Sequence, residues 1–231
     1  MLVAGEQLVV RRPFDDTVYG VLPTTRPEAV AGAVARARHA QAAWSRWPVT
    51  ERSRLFTRLA RLILHNRDRI LDTIQAETGK ARLSAFEEVM DAARGVRVFA
   101  VQAPGLLRPA RRRGALPLLT RTVEHHRPVG VVGIINPWNY PFNLPATDAA
   151  QALLAGNAVL LKPDSRTPFT ALLLAELLAE AGLPDGAFQV LPGSGAALGP
   201  ALVAHVDYLM FTGSTATGRT LAQACAERLI G

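Results

Sequence analysis

Residues 129–141 read V-G-V-V-G-I-I-N-P-W-N-Y-P, and this stretch restricts the fold more than any other. Its apolar run has no alternating polar face, so it describes a short strand buried on both sides rather than an edge or a hairpin arm. The run ends in a turn bracketed by Pro137 and Pro141. Proline fixes its own φ and pushes the residue before it toward an extended backbone, so Trp138 and Asn139 are aimed rather than free. A strand that delivers an indole and an amide to its carboxyl end builds a site more often than a core.

The chain beyond Pro141 supplies the neighbours such a strand needs. The pattern predicts a helix over 141–154, a strand over 158–161 and a helix over 167–181 that stops at Gly182-Leu183-Pro184. A strand at 188–191, a short helix at 196–203, a strand at 208–211 and a last helix at 215–229 follow. Short apolar strands separated by helices imply a parallel sheet with right-handed crossovers, an α/β fold. There is no internal repeat and no low-complexity linker.

Upstream, residues 1–25 read as extended and turn-rich, punctuated by Pro13, Asp15, Asp16, Gly20 and Pro23. Pro27 suits the first turn of an Ala-rich helix over 28–47. Thr50 is expected to cap a second helix, with Glu51 in its first turn. Its apolar face would be Leu55, Leu59, Leu62, Ile63, Ile70 and Ile74, ending at Gly79. A third helix is expected over 83–101, before Pro104. These helices form a layer over 1–117 whose arginines read as its solvated face. From Leu118 the period becomes two, and an exposed strand near Thr122 turns at Arg127-Pro128 into the central run. The chain thus divides into the layer over 1–117, an exposed strand over 118–128 and the alternating part over 129–231.

Composition excludes more than it proposes. The net charge is +7 over 231 residues, yet only Lys80 and Lys162 are lysines, and the arginines are scattered among acids. Arg111-Arg112-Arg113 is the one dense basic cluster, and no aromatic-rich binding motif accompanies it, so no nucleic-acid partner is expected. No apolar run reaches the ~18 residues of a membrane span, and no signal peptide precedes the first polar residues. A soluble cytoplasmic chain with no membrane partner is the expectation. His125 and His126 are adjacent and would point to opposite faces of a strand, poor geometry for a shared metal. Cys225 is the single cysteine, so no intramolecular disulfide can form.

In an open parallel sheet, ligands lie at the carboxyl ends of the strands. Three strand ends here are chemically loaded: Asn136-Pro137-Trp138-Asn139, Lys162-Pro163-Asp164-Ser165, and Phe211-Thr212-Gly213-Ser214 leading on to Gly218. The third reads as an anion cradle, in which Gly213 admits close backbone approach, Ser214 adds a hydroxyl and a helix N-terminus offers free N–H groups. An ordinary capped helix would read the same way. Lys162 is a compact ammonium suited to ribose hydroxyls or phosphate, against the plain alternative of a surface lysine. Asn139 offers an N–H donor that never ionises, suited to a developing oxyanion, or else it satisfies its own turn. Together the three describe a nucleotide site beside a carbonyl-polarising amide.

The order P-W-N-Y-P, then G-N-A-V-L-L-K-P-D-S-R-T-P, then F-T-G-S-T-A-T-G resembles the aldehyde dehydrogenase superfamily across nearly the whole chain, most closely its succinate-semialdehyde branch of actinobacterial type. The resemblance implies a variant Rossmann sheet, an oligomerisation hairpin near Thr122 and a homo-oligomeric enzyme acting on a small-molecule aldehyde. It implies Asn139 as oxyanion donor and Trp138 in the cofactor-contacting turn. Lys162 and Ser165, in the Lys162-Pro163-Asp164-Ser165 segment, would hold the adenosine ribose, and Gly213 and Ser214 the pyrophosphate. The cofactor would be NADP or NAD. Many NAD-preferring relatives carry Glu where Ser165 stands, and a carboxylate there would repel a 2′-phosphate, so NADP is expected to be accepted, with Arg166 as a helper.

Two departures accompany the resemblance. Relatives specific for succinate semialdehyde often place an Arg on the helix after P-W-N-x-P, where this chain has Thr147. The family's nucleophilic Cys and general-base Glu lie C-terminal to G-S-T-x-x-G, and residues 1–231 contain neither. Cys225 is not a substitute, because it follows Ala224 inside a helix with only Arg228 nearby and reads as core. The expectation is a cofactor-binding portion that is inert alone, or, in a second reading, a non-catalytic nucleotide-binding or assembly protein.

Overall fold

The computed structural model describes residues 3–4, 7–116 and 119–231. Strands β1 (Val3–Ala4), β2 (Gln7–Arg11) and β3 (Val18–Pro23) make a small antiparallel sheet. Helices α1 (Ala29–Trp44), α2 (Val49–His65), α3 (Arg67–Thr78) and α4 (Arg82–Leu106) follow. Then come β4 (Ala110–Arg112) and β5 (Thr122–Glu124), paired antiparallel. The remainder alternates: β6 (Val131–Ile135), α5 (Asn143–Leu154), β7 (Ala158–Lys162), α6 (Pro168–Ala181), β8 (Phe188–Val190), α7 (Gly195–Val203), β9 (Tyr208–Phe211) and α8 (Thr215–Glu227).

The last four strands form one parallel sheet in the order β8-β7-β6-β9. Every residue of β6 and β7 is buried, as their unbroken apolar character requires. Alternate side chains serve opposite faces. Val132, Ile134, Val159 and Leu161 join the core built with α2 to α6, around Phe56, Leu59, Phe142 and Leu174. Val131, Ile135, Ala158 and Leu160 pack on the other face with α1, α7 and α8, around Val30, Leu198, Leu202 and Leu221. The sheet is thus covered by two helical layers.

The structure departs from expectation at several ends. The long second helix is two helices meeting at Asn66, whose side chain donates to the Leu62 carbonyl at 3.0 Å and whose ψ of 14° breaks the ladder. Pro48, with an extended ψ of 139°, stands at the N-cap of α2, so Thr50 lies inside the first turn. Helix α4 runs through Pro104 to Leu106; a proline this near the end disturbs only the last turn, which Leu107 closes by donating to the Ala103 carbonyl. The hairpin reaches back to β4, within the segment read as helical. Leu118, where the period change was read, lies outside the described residues. Arg52 does not belong to a solvated face. It is buried and donates to the carbonyls of Leu154 (2.9 Å) and Trp47 (2.6 Å).

Candidate cofactor site

Register brings the three loaded strand ends level. Ile135 of β6 aligns with Lys162 of β7 on one side and with Phe211 of β9 on the other. Two further bonds extend the ladder, from the Asn136 N–H to the Lys162 carbonyl and from the Thr212 N–H to the Ile135 carbonyl. The P-W-N-Y-P turn therefore leaves from the centre of the sheet, flanked by the other two segments.

Lys162 is the most telling of the predicted residues. It is 5% exposed, and among the described residues its ammonium has no hydrogen bond and no ion pair. Burial pushes its pKa down, and the more distant Asp164 carboxylate only partly opposes this. A charge on a buried side chain is costly when unpaired, and the described residues supply this ammonium with no acceptor. A Cβ on Gly195, at the start of α7, would stand 3.4 Å from Nζ, so α7 begins directly beside the ammonium.

The segment after Lys162 is tightly defined. Pro163 is buried, and the chain then turns so that Thr167 N–H donates to the Asp164 carbonyl. Ser165 Oγ is buried and donates to the Gly193 carbonyl at 2.7 Å, which leaves its lone pairs as acceptors. Arg166 grips Asp164 with two nitrogens, at 2.9 and 3.1 Å, and lies 4.8 Å from the centre of the Trp138 ring. Burial alone would raise the Asp164 carboxyl, but the Arg166 hydrogen bonds and charge hold it below the usual carboxylate range. Through this Asp164-Arg166-Trp138 chain the second segment touches the first.

Gly213 and Ser214 form a neighbouring but separate feature. A cleft of about 480 Å³ is lined by Phe211, Thr212, Gly213, Ser214, Gly218 and Arg219 among others. A Cβ on Gly213 would meet the Phe211 ring at 2.5 Å, and one on Gly218 would meet it at 3.2 Å, so both glycines seat that ring. Ser214 caps α8 by accepting from the Thr217 N–H at 3.3 Å. The ordinary-cap reading is therefore true of Ser214, and the other first-turn N–H groups remain for an anion. Among the described residues no hydrogen bond joins this loop to Lys162 or Ser165.

Asn139 is exposed, and no described residue bonds its side-chain amide. Its carbonyl is taken by Lys80 at 2.6 Å. Sequence reasoning passed over Lys80 and its partner Glu88, although the scarcity of lysine that drew notice to Lys162 applied to Lys80 as well. It also passed over Asp148, which accepts from Asn136 Nδ2 at 2.9 Å and whose pKa burial pushes up. Thr147 spends its hydroxyl on the Asn143 and Leu144 carbonyls, and its methyl would stand 2.8 Å from a Cβ on Gly95 of α4. Cys225 is buried in α8; burial pushes its thiol up, and the opposing Arg228 donates to the Val203 and Val206 carbonyls. His125 and His126 are exposed, and no metal-binding cluster occurs among the described residues.

A parallel sheet covered on both faces, with three shaped strand ends level at its carboxyl edge, places the chain in the Rossmann-like α/β class. More specifically, it belongs to the aldehyde dehydrogenase family, whose profile matches residues 3–230. It is 52% identical over its full length to a Mycolicibacterium smegmatis protein provisionally named succinate-semialdehyde dehydrogenase [NADP(+)], and covers 46% of that protein. Among solved structures it resembles an Escherichia coli NADP-dependent enzyme, with 33% identity and a TM-score of 0.93, over 98% of this chain and 47% of that one. It also resembles a Burkholderia pseudomallei succinate-semialdehyde dehydrogenase, with 30% identity and a TM-score of 0.92, over 97% of this chain and 46% of that one. The chain spans a little under half the length of these relatives.

Proposed function

We propose that this chain is the cofactor-binding portion of an NAD(P)+-dependent aldehyde dehydrogenase that oxidises succinate semialdehyde to the acid. The observation that carries the reading is Lys162, a buried side chain at a strand end whose ammonium meets no acceptor among the described residues and lies against the start of α7. Ribose hydroxyls and phosphate oxygens are the acceptors it lacks. Ser165 Oγ would accept from a ribose hydroxyl, and the first turn of α8 beside Gly213 would meet the pyrophosphate. Bound NAD(P)+ supplies the hydride acceptor. Trp138, held by Arg166, would wall the site from the side of the central turn, and Asn139 would donate to the aldehyde oxygen as it gains charge. The substrate is proposed from the relatives' names, since Thr147 brings no cation to a substrate carboxylate.

Titration of the 231-residue chain with NADP, followed by calorimetry, tests this reading. Binding that weakens at least tenfold, about 1.4 kcal/mol, in Lys162→Met is expected. Equal affinity in the two proteins, or none in either, would sink the proposal. A second reading, a nucleotide-binding or assembly protein without turnover, is favoured by the inert setting of Cys225. Reduction of NADP by the chain with succinate semialdehyde, lost in Cys225→Ala, would overturn that reading.

A further inference from the structure

Glu88 of α4 is 1% exposed, and its carboxylate divides its work. Oε1 accepts from the backbone N–H groups of Phe142, at 2.9 Å, and Asn143, at 3.2 Å. These are unpaired donors at the start of α5, which lacks a side-chain cap of its own. Oε2 takes the ammonium of Lys80 at 2.5 Å. Lys80 in turn donates to the carbonyl of Asn139 at 2.6 Å and lies 4.3 Å from the centre of the Tyr140 ring. Its own position is set by Gly79, whose left-handed φ of +70° ends α3.

One ion pair therefore grips the P-W-N-Y-P turn at both ends. The cation holds the carbonyl of Asn139 itself, and the anion holds the amides two and three residues beyond Tyr140. Pro137 and Pro141 restrict φ within the turn but do not choose where it points relative to the sheet. The clamp does, because it anchors the turn to α4 across a buried contact. Anchoring an amide donor's backbone is what preorganises it, since among the described residues nothing bonds the Asn139 side chain to orient it.

We infer that Lys80 and Glu88 are positioning residues for the Asn139 amide, acting through the backbone of the turn. The inference rests on the proposed role of Asn139, but its test does not depend on cofactor. In the ¹⁵N-labelled 231-residue chain, Lys80→Met is expected to shift or split the Asn139 side-chain amide signals and to make the Phe142 and Asn143 amides exchange about tenfold faster. Lys80→Arg, which keeps a cation able to reach the Asn139 carbonyl, is expected to restore a single Asn139 signal. Glu88→Gln gives the same readout should Lys80→Met fail to fold. An unmoved Asn139 signal would overturn the inference, whether or not exchange rises uniformly along the chain. Failure of the wild-type chain to bind NADP would instead count against the cofactor reading, leaving the turn to be judged by the Asn139 signal.

Discussion

Ser165 shows how one buried hydroxyl would set a preference in the proposed cofactor site. Its hydrogen is committed to the Gly193 carbonyl, so it presents oxygen lone pairs and no negative charge to whatever occupies the site. On the proposed cofactor reading, a 2′-phosphate would be tolerated beside it and attracted by Lys162. In Ser165→Glu a carboxylate would stand where the phosphate must go. The ratio of NADP to NAD affinity is expected to fall at least about tenfold, a cost of about 1.4 kcal/mol for like charges in a partly buried setting. Parallel titrations with the two nucleotides measure it. The family resemblance in the sequence proposes Ser165 as the discriminating position; that its hydrogen is already spent was not legible, because Gly193 lies 28 residues away.

At the scale of elements, side chains from one helix repeatedly complete another. Helix α6 follows Thr167, which makes no side-chain cap bond, and its first N–H groups are taken by Glu77 from the end of α3. Glu77 accepts from the Phe169 N–H at 2.7 Å and the Thr170 N–H at 2.8 Å. Burial nevertheless pushes its carboxyl up to about 7, against the hydrogen bonds from Thr170 and Phe169. A folded pKa above the unfolded value of 4.5 means that the native chain binds the proton more tightly. Glu77's contribution to stability is then fully present below pH 4.5 and is lost as pH rises through about 7. The loss is on the order of 3 kcal/mol. Urea denaturation across that window should show the decline in the wild type and a flatter profile in Glu77→Gln. Element positions after residue 129 were legible because buried strands and their flanking turns are local signals. The break at Asn66 and the passage of α4 through Pro104 were not, since a side-chain bond or a nearby helix end decides them.

The whole molecule is held together by contacts that join its N-terminal helices to the alternating part of the chain. Arg52 of α2 is the clearest, bonding the Leu154 carbonyl at the end of α5 and the Trp47 and Ser45 carbonyls after α1. Its position at a helix C-terminus suits the dipole there, and burial pushes its pKa down. Arg52→Leu would leave buried carbonyls without donors, at about 3 kcal/mol. The expected fall in thermal midpoint is roughly 6–12 °C for a chain of this size. No described helix is long and apolar enough to cross a membrane.

The sequence by itself determined the parallel α/β architecture and the three strand ends where a ligand would lie. Both follow from local rules: an unbroken apolar strand must be covered on two faces, and strand ends followed by helices expose free backbone donors. Only the tertiary structure decided that Lys162 is buried with no partner among the described residues, that Ser214 caps its own helix and that Lys80 with Glu88 holds the turn of Asn139. Burial and partnership are properties of surfaces brought together from distant parts of the chain. Residue type announces which groups can meet; packing decides which do.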